Sequence, residues 1–289
     1  MENAEKTRRS GMIRTDLAME QLEGFDGIPE GVGRRQYEKE GVTVTEVSVT
    51  EQGAATLGKP AGKYVTLELT PFRSPGMNFE GELSVVAEEL RRFLPDEGLV
   101  LVAGLGNEEI TPDAIGPRTA AGILATRHLE DAASIGLPGL RPVAAVAPGV
   151  LGQTGIETAE FIRSLCDRIR PAAVIAVDAL AAGAVSRLGN TVQLADSGIA
   201  PGSGVQNKRK TLNRETLGIP VVALGVPTVA DAAVFADGEA PGSAALSGCM
   251  VTPREIDVIV DKAASMLALA INRALQPTLS VEELLGLTD

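Results

Sequence analysis

Two aspartates stand where acid–base chemistry can be done. Asp113 lies in Thr111-Pro-Asp113, after the apolar run 99–103 and the glycine turn 104–107, and Asp178 directly follows the apolar run 173–177. Each is read as sitting just past the end of a buried strand. In open α/β sheets those strand ends form the crevice in which ligands bind. Two carboxylates delivered to one crevice can share a proton and activate a water molecule. Thr-Pro-Asp also reads as a helix start, with Thr as cap, where an acid complements the dipole and stays ionised. A carboxylate entering from a strand such as Val-Ile-Ala-Val needs partners or a proton.

The chain offers little other catalytic equipment. His128 is the only histidine, expected near the C-terminal end of a helix over about 113–130, where an imidazole suits the dipole. No Gly-x-Ser-x-Gly elbow follows a strand. The same acids are also read as ligands of a divalent metal that would supply a hydroxide, with Glu108, Glu157 or His128 as further donors. The scarcity of histidine favours the metal-free version. Gly104, Gly106 and Asn107 form a turn that presents backbone to the crevice. Glu109 occupies the place of the third glycine of a dinucleotide fingerprint, so nucleotide binding there is disfavoured. A second loop, around Gly202, Ser203, Gly204 and Lys208, lacks phosphate-loop spacing and is read as able to orient a peptide carbonyl through its N–H groups. The two loops together are the expected substrate and oxyanion region. A reading of another class, a non-enzymatic phosphate- or nucleotide-binding module built on Gly104, Gly106 and Lys208, is opposed by the acidic charge.

These groups need a frame, and the hydrophobic pattern supplies one. The apolar runs 99–103, 142–147, 173–177 and 219–225 read as buried strands, with helices at about 113–130 and 157–170 between the first three. The predicted class is α/β: three layers, α/β/α, around a mostly parallel central sheet. Residues 41–50 and 62–70 alternate as two strands of a small N-terminal β-hairpin region, joined by a Gly-rich loop at 52–60, with a bulge where the phase slips between Val44 and Val47. Thr252-Pro-Arg-Glu255 reads as a capping box opening a long helix, and Ser280-Val-Glu-Glu283 as another.

Composition narrows the function. The 289 residues carry a net charge of -12, no Trp and two Tyr, which disfavours nucleic-acid binding by charge or stacking. Two cysteines make no disulfide framework, and Cys166 reads as a buried, inert thiol on an amphipathic helix. No apolar run spans a bilayer and the charged N-terminus has no signal h-region, so the expectation is a soluble cytoplasmic protein.

Several words in fixed order then resemble one family, the germination proteases of spore-forming bacteria: residues 13–20 (Ile-Arg-Thr-Asp-Leu-Ala-Met-Glu), 104–107, 111–117, 147–158, 177–182, 201–210, 216–220, 225–228 and 250–253. The resemblance implies an endopeptidase, made as a zymogen, that degrades small acid-soluble spore proteins during germination. It implies a homotetramer in the spore core, with an α/β/α core similar to hydrogenase-maturation proteases. It places the catalytic acids at Asp113 and Asp178 and self-cleavage between Asp16 and Leu17. Residues 1–16 would then be a propeptide and 17–289 one protease domain, with a β subregion at 41–70 and an α/β core at 80–275. No resident cofactor is expected. The stretch between Pro227 and Met250 is compressed relative to familiar members.

Overall fold

The computed structural model describes residues 15–75, 79–129, 139–200, 210–232 and 249–288. The apolar runs become the centre of one nine-stranded sheet. Its strands are β1 (Val32–Lys39), β2 (Val42–Val49), β3 (Gly62–Glu68), β4 (Val100–Gly104), β5 (Val143–Val146), β6 (Ala173–Ala182), β7 (Thr191–Ala195), β8 (Val221–Asp231) and β9 (Met250–Val251). They run in the order β1-β2-β3-β7-β8-β6-β4-β5, with β9 added to β8. The parallel half expected from the buried runs is β8-β6-β4-β5. The hairpin half, β1-β2-β3-β7, is antiparallel and joins β8 antiparallel, so both subregions share one sheet.

The helices are α1 (Ala18–Glu23), α2 (Glu51–Leu57), α3 (Phe79–Arg91), α4 (Ile115–Ala121), α5 (Leu151–Thr154), α6 (Thr158–Ile169), α7 (Arg214–Leu217), α8 (Ile256–Leu275) and α9 (Val281–Thr288). They make the outer layers. On one face α3, α4, α8 and α9 bury Leu83, Leu90, Ile115, Leu267, Ile271 and Leu284 against Val102, Ile175 and Leu224. On the other, α1 and α6 bury Leu17, Leu22, Ile162 and Cys166 against Leu101, Val174 and Val221. Val174 and Ile175 are both fully buried yet belong to different cores, the pattern of a central strand covered on both faces.

Several expectations change at this level. The slip between Val44 and Val47 is not a bulge: β2 keeps an unbroken register with β1 and β3. Val42 and Val44 pack into the α3/α8 core, and Val47 and Val49 into the α1/α6 core, so the strand changes which face it buries. The expected loop at 52–60 is largely helix α2, capped by the Thr50 hydroxyl and ended by Gly58 at φ 75. The helix expected over 113–130 is a 3-10 turn, Thr111–Asp113, followed by α4, which ends at Ala121. His128 is therefore an exposed turn residue and not a helix C-terminal one. The box at 252–255 does not cap α8, whose N-cap is Glu255; the Thr252 hydroxyl donates instead to Thr228 O of β8 at 2.8 Å. The box at 280–283 forms as expected, with Ser280 N–H donating to Glu283 Oε2 and Glu283 N–H to Ser280 Oγ.

Cys166 is buried and its thiol is pushed up to about 11, by desolvation first and the Asp167 charge second. At pH 7.5 it is almost wholly thiol. Alkylation of the native protein, read by peptide mass mapping, is expected to modify exposed Cys249 and to reach Cys166 only after unfolding.

Candidate active site

Asp178 lies inside β6, not beyond it: the strand continues to Ala182. Side chains alternate along a strand, so Asp178 shares the face of Val174, Ala176 and Leu180, the face covered by α1 and α6. It is 5% exposed, and its Oδ1 accepts from Ala179 N–H at 2.9 Å. Across the ladder it pairs with Gly225 of β8, where an added Cβ would stand 2.6 Å from Asp178 O and 2.7 Å from Leu180 Cγ. Only glycine fits beside the acid. The β6–β8 register shifts between Leu180 and Ala181, an irregularity of the sort that re-aims groups beside active sites.

Asp113 ends the 3-10 turn after β4. Its Oδ2 accepts from Asn107 N–H at 2.8 Å, and its own N–H donates to Ile110 O at 2.7 Å. The turn is fastened to the parallel strands twice: Thr228 Oγ1 of β8 donates to Pro112 O, and Leu105 N–H to Val177 O of β6, each at 2.7 Å. Gly106, at φ 111, has no room for a side chain, because a Cβ would lie 2.1 Å from Asp113 O. Gly104 is closed off in the same manner by Gly116 O at 2.0 Å, so it serves helix packing, while the Asn107 amide serves Asp113. Both aspartates thus sit at the same end of the parallel strands, on β6 and on a turn tied to β6 and β8. Gly202, Ser203, Gly204 and Lys208 lie outside the described residues.

The segment containing Asp16 and Leu17 is docked on this same end. Past Val177, β4 has ended, and Ala181 turns its backbone to Asp16: Asp16 N–H donates to Ala181 O, and Ala181 N–H to Asp16 Oδ2, both at 2.8 Å. Leu17 is fully buried. Ala18 N–H donates to Gln193 Oε1 of β7 at 2.8 Å. Glu20 fastens the far end, accepting from Gly183 N–H at 2.6 Å and Ala184 N–H at 3.0 Å, with Arg187 Nε 3.2 Å away. The carbonyl oxygen of Asp16 accepts from Lys59 Nζ at 2.8 Å and Gln193 Nε2 at 3.0 Å. Burial pulls the Lys59 ammonium below its ordinary range, against the charges of Asp16 and Glu20. Lys59 and Gln193 carried no signal in the sequence. The first is a lone lysine after a helix-ending glycine, the second a polar residue on a strand.

Asp16, Lys59, Gln193, Asp178 and Gly225 line one cavity of about 240 Å³; Asp113 is not among its lining residues. As a metal site the donor set is poor. A lysine ammonium shares the cavity with Asp178, and Glu108 and His128 are exposed. Among the described residues no three His, Cys, Asp or Glu side chains group to hold an ion. No helix among those residues is long and apolar enough to cross a membrane.

A layered α/β fold carrying two acids and a docked peptide segment at one sheet end is the frame of a hydrolase. The family profile of the germination proteases matches residues 14–239, and the chain belongs to that family of peptidases. It is 39% identical to the germination protease of Clostridium perfringens, over 94% of this chain and 98% of that one. It is 38% identical to that of Caldanaerobacter subterraneus, over 94% and 97%, and 45% identical to that of Bacillus pumilus, over 78% and 65%. Among solved structures, the [NiFe] hydrogenase maturation protease HycI of Thermococcus kodakarensis aligns with a TM-score of 0.36 at 18% identity, over 63% of this chain and 98% of that one.

Proposed function

We propose that the chain is a self-processing endopeptidase that cuts small acid-soluble spore proteins at germination. Asp113 and Asp178 act as its acid–base pair, and residues 1–16 are the propeptide removed. The observation that carries this reading is the docking of residues 15–20. The bond between Asp16 and Leu17 is held on one flank by Ala181 of β6 and on the other by Gln193 of β7, and Asp16 borders the cavity that Asp178 lines. A substrate with an acid before the cut and an apolar residue after it would use the same two anchors: the Ala181 amide and the buried seat of Leu17. Asp113, held by the Asn107 amide at the end of the turn that leads into α4, is suited to act as base. Asp178, on the wall of the cavity beside Asp16, is suited to pass a proton to the leaving amine. Because such a pair titrates jointly, its pH profile belongs to the two together. The reading is metal-free, with the spore core as location and a homotetramer as the working assembly.

The test is mass spectrometry of the purified chain before and after mild acidification, with a spore protein added in parallel. The expected products are a new N-terminus at Leu17 and spore-protein fragments beginning with an apolar residue, unaffected by chelators. A chain that stays whole and leaves the spore protein uncut would overturn the proposal.

A further inference from the structure

We infer that Lys59 and Gln193 form the oxyanion-binding pair of the cleavage site, the two side chains that take up the charge developing on the carbonyl oxygen of the residue before the cut. This deepens the reading above and rests on it. Both donors already point at one atom. Lys59 Nζ lies 2.8 Å and Gln193 Nε2 3.0 Å from Asp16 O, within the range at which oxyanion donors operate. They come from different elements, Lys59 from the turn after α2 and Gln193 from β7, so their convergence on one carbonyl is made by the tertiary fold.

Their surroundings suit the task. Gln193 is 7% exposed, and it grips both sides of the bond, donating to Asp16 O and accepting from Ala18 N–H. That fixes the carbonyl against rotation. Lys59 is anchored a second time at Thr15 O, 3.1 Å away. A donor that is fixed and shielded from bulk water before the reaction has no reorganisation left to undergo when charge appears. In the glycine turn 104–107, the Asn107 amide is engaged by Asp113.

The step balances without a cofactor. Water oxygen bonds to the Asp16 carbonyl carbon as its proton passes to the basic aspartate. The C=O π pair moves onto the oxygen, where Lys59 and Gln193 hold it. On collapse that pair re-forms C=O, the C–N pair leaves on the Leu17 nitrogen, and the protonated aspartate supplies its proton. Lys59 gives up no proton and must remain an ammonium. The charges acting on it are Asp16 and Glu20 of the docked segment, and Asp178 and Tyr64 line the same cavity.

The test follows the first-order appearance of the Leu17 N-terminus in the full-length chain, with amide exchange of residues 15–20 measured alongside. Lys59→Met and Gln193→Glu are each expected to slow cleavage about 10²–10³-fold, the usual loss for one oxyanion donor. Gln193→Glu retains the acceptor for Ala18 N–H, and protection of residues 15–20 is expected to persist in both. Cleavage within about threefold of the parent by either folded variant overturns the pair. Loss of protection at 15–20 in both variants also overturns it, because the side chains would then be docking contacts. If Lys59→Met does not fold, Gln193→Glu decides alone. A parent chain that never forms the Leu17 terminus sinks the function proposed above, whereas a cutting parent with fast variants sinks only the oxyanion assignment.

Discussion

Asp178→Asn is expected to lower both self-cleavage and spore-protein cleavage by about 10²–10⁴-fold, the range for removing a general acid or base. The substitution isolates the proton. Asn keeps the shape of the side chain and an oxygen to accept from Ala179 N–H, the contact Asp178 Oδ1 makes at 2.9 Å. Its backbone is paired with β8 through Gly225, and the substitution leaves that ladder untouched. The folded structure should therefore survive with its unfolding midpoint little changed, while the rate of appearance of the Leu17 terminus collapses. Asp113→Asn should behave similarly for rate, with its oxygen still able to accept from Asn107 N–H. Activity retained in either variant would remove that residue from the chemistry and leave the docked segment as a binding feature alone.

Gly116→Ala is expected to destabilise the protein by more than about 3 kcal/mol, reversing the gain of about 1 kcal/mol that Gly→Ala brings inside an ordinary helix. Gly116 is where α4 crosses the ends of β4 and β6. An added Cβ would meet Leu105 O at 2.1 Å, Leu105 N at 2.5 Å and Val177 O at 2.5 Å. All three atoms are backbone, so no side chain can turn away. The Leu105 N–H and Val177 O in question are bonded to each other at 2.7 Å, and that bond ties the Asp113 turn to β6. Urea unfolding gives the measurement, and Gly286→Ala in α9 is the matched control. Nothing lies within 4 Å of its added Cβ, and stability there should hold or rise. A Gly116→Ala protein as stable as the parent would mean that α4 can lift from the sheet without cost.

The contrast between the two halves of the sheet explains what could be read in advance. Parallel strands buried on both faces leave unbroken apolar runs, and β4, β5, β6 and β8 all begin within two residues of the runs at 99, 142, 173 and 219. β1 left no such trace. Val32-Gly-Arg-Arg-Gln-Tyr-Glu-Lys39 is an edge strand, exposed or half-buried throughout, and its pairing is imposed by the turn at Glu40 (φ 49) and Gly41 (φ 80), a left-handed pair suited to a tight hairpin. Strand length past Asp178 was also hidden. Residues 179–182 are Ala-Leu-Ala-Ala, a string that composition assigns to helix, and only pairing with β8 makes it strand. For the site, the acids could be found because a carboxylate in an apolar context is conspicuous. Gly106 and Gly225 could be noticed but not understood, because what excludes a side chain at each is set by the fold: Asp113 O, brought back by the turn, at Gly106, and Asp178 O of the neighbouring strand at Gly225. Lys59 and Gln193 were beyond reach, since they meet at Asp16 O from positions more than 130 residues apart.

Leu17 is completely buried. While the chain is whole, its nitrogen is an uncharged amide donating to the Thr15 hydroxyl at 3.0 Å. Hydrolysis at that point would convert it into a terminal amine that prefers to be an ammonium, beside the Thr15 hydroxyl and the new Asp16 carboxylate, while the Leu17 side chain stays in the core with Leu22, Val47 and Leu57. Either the two new charges pair where the neutral amide had been or α1 swings away to hydrate its end, and the second course would behave as a one-way latch.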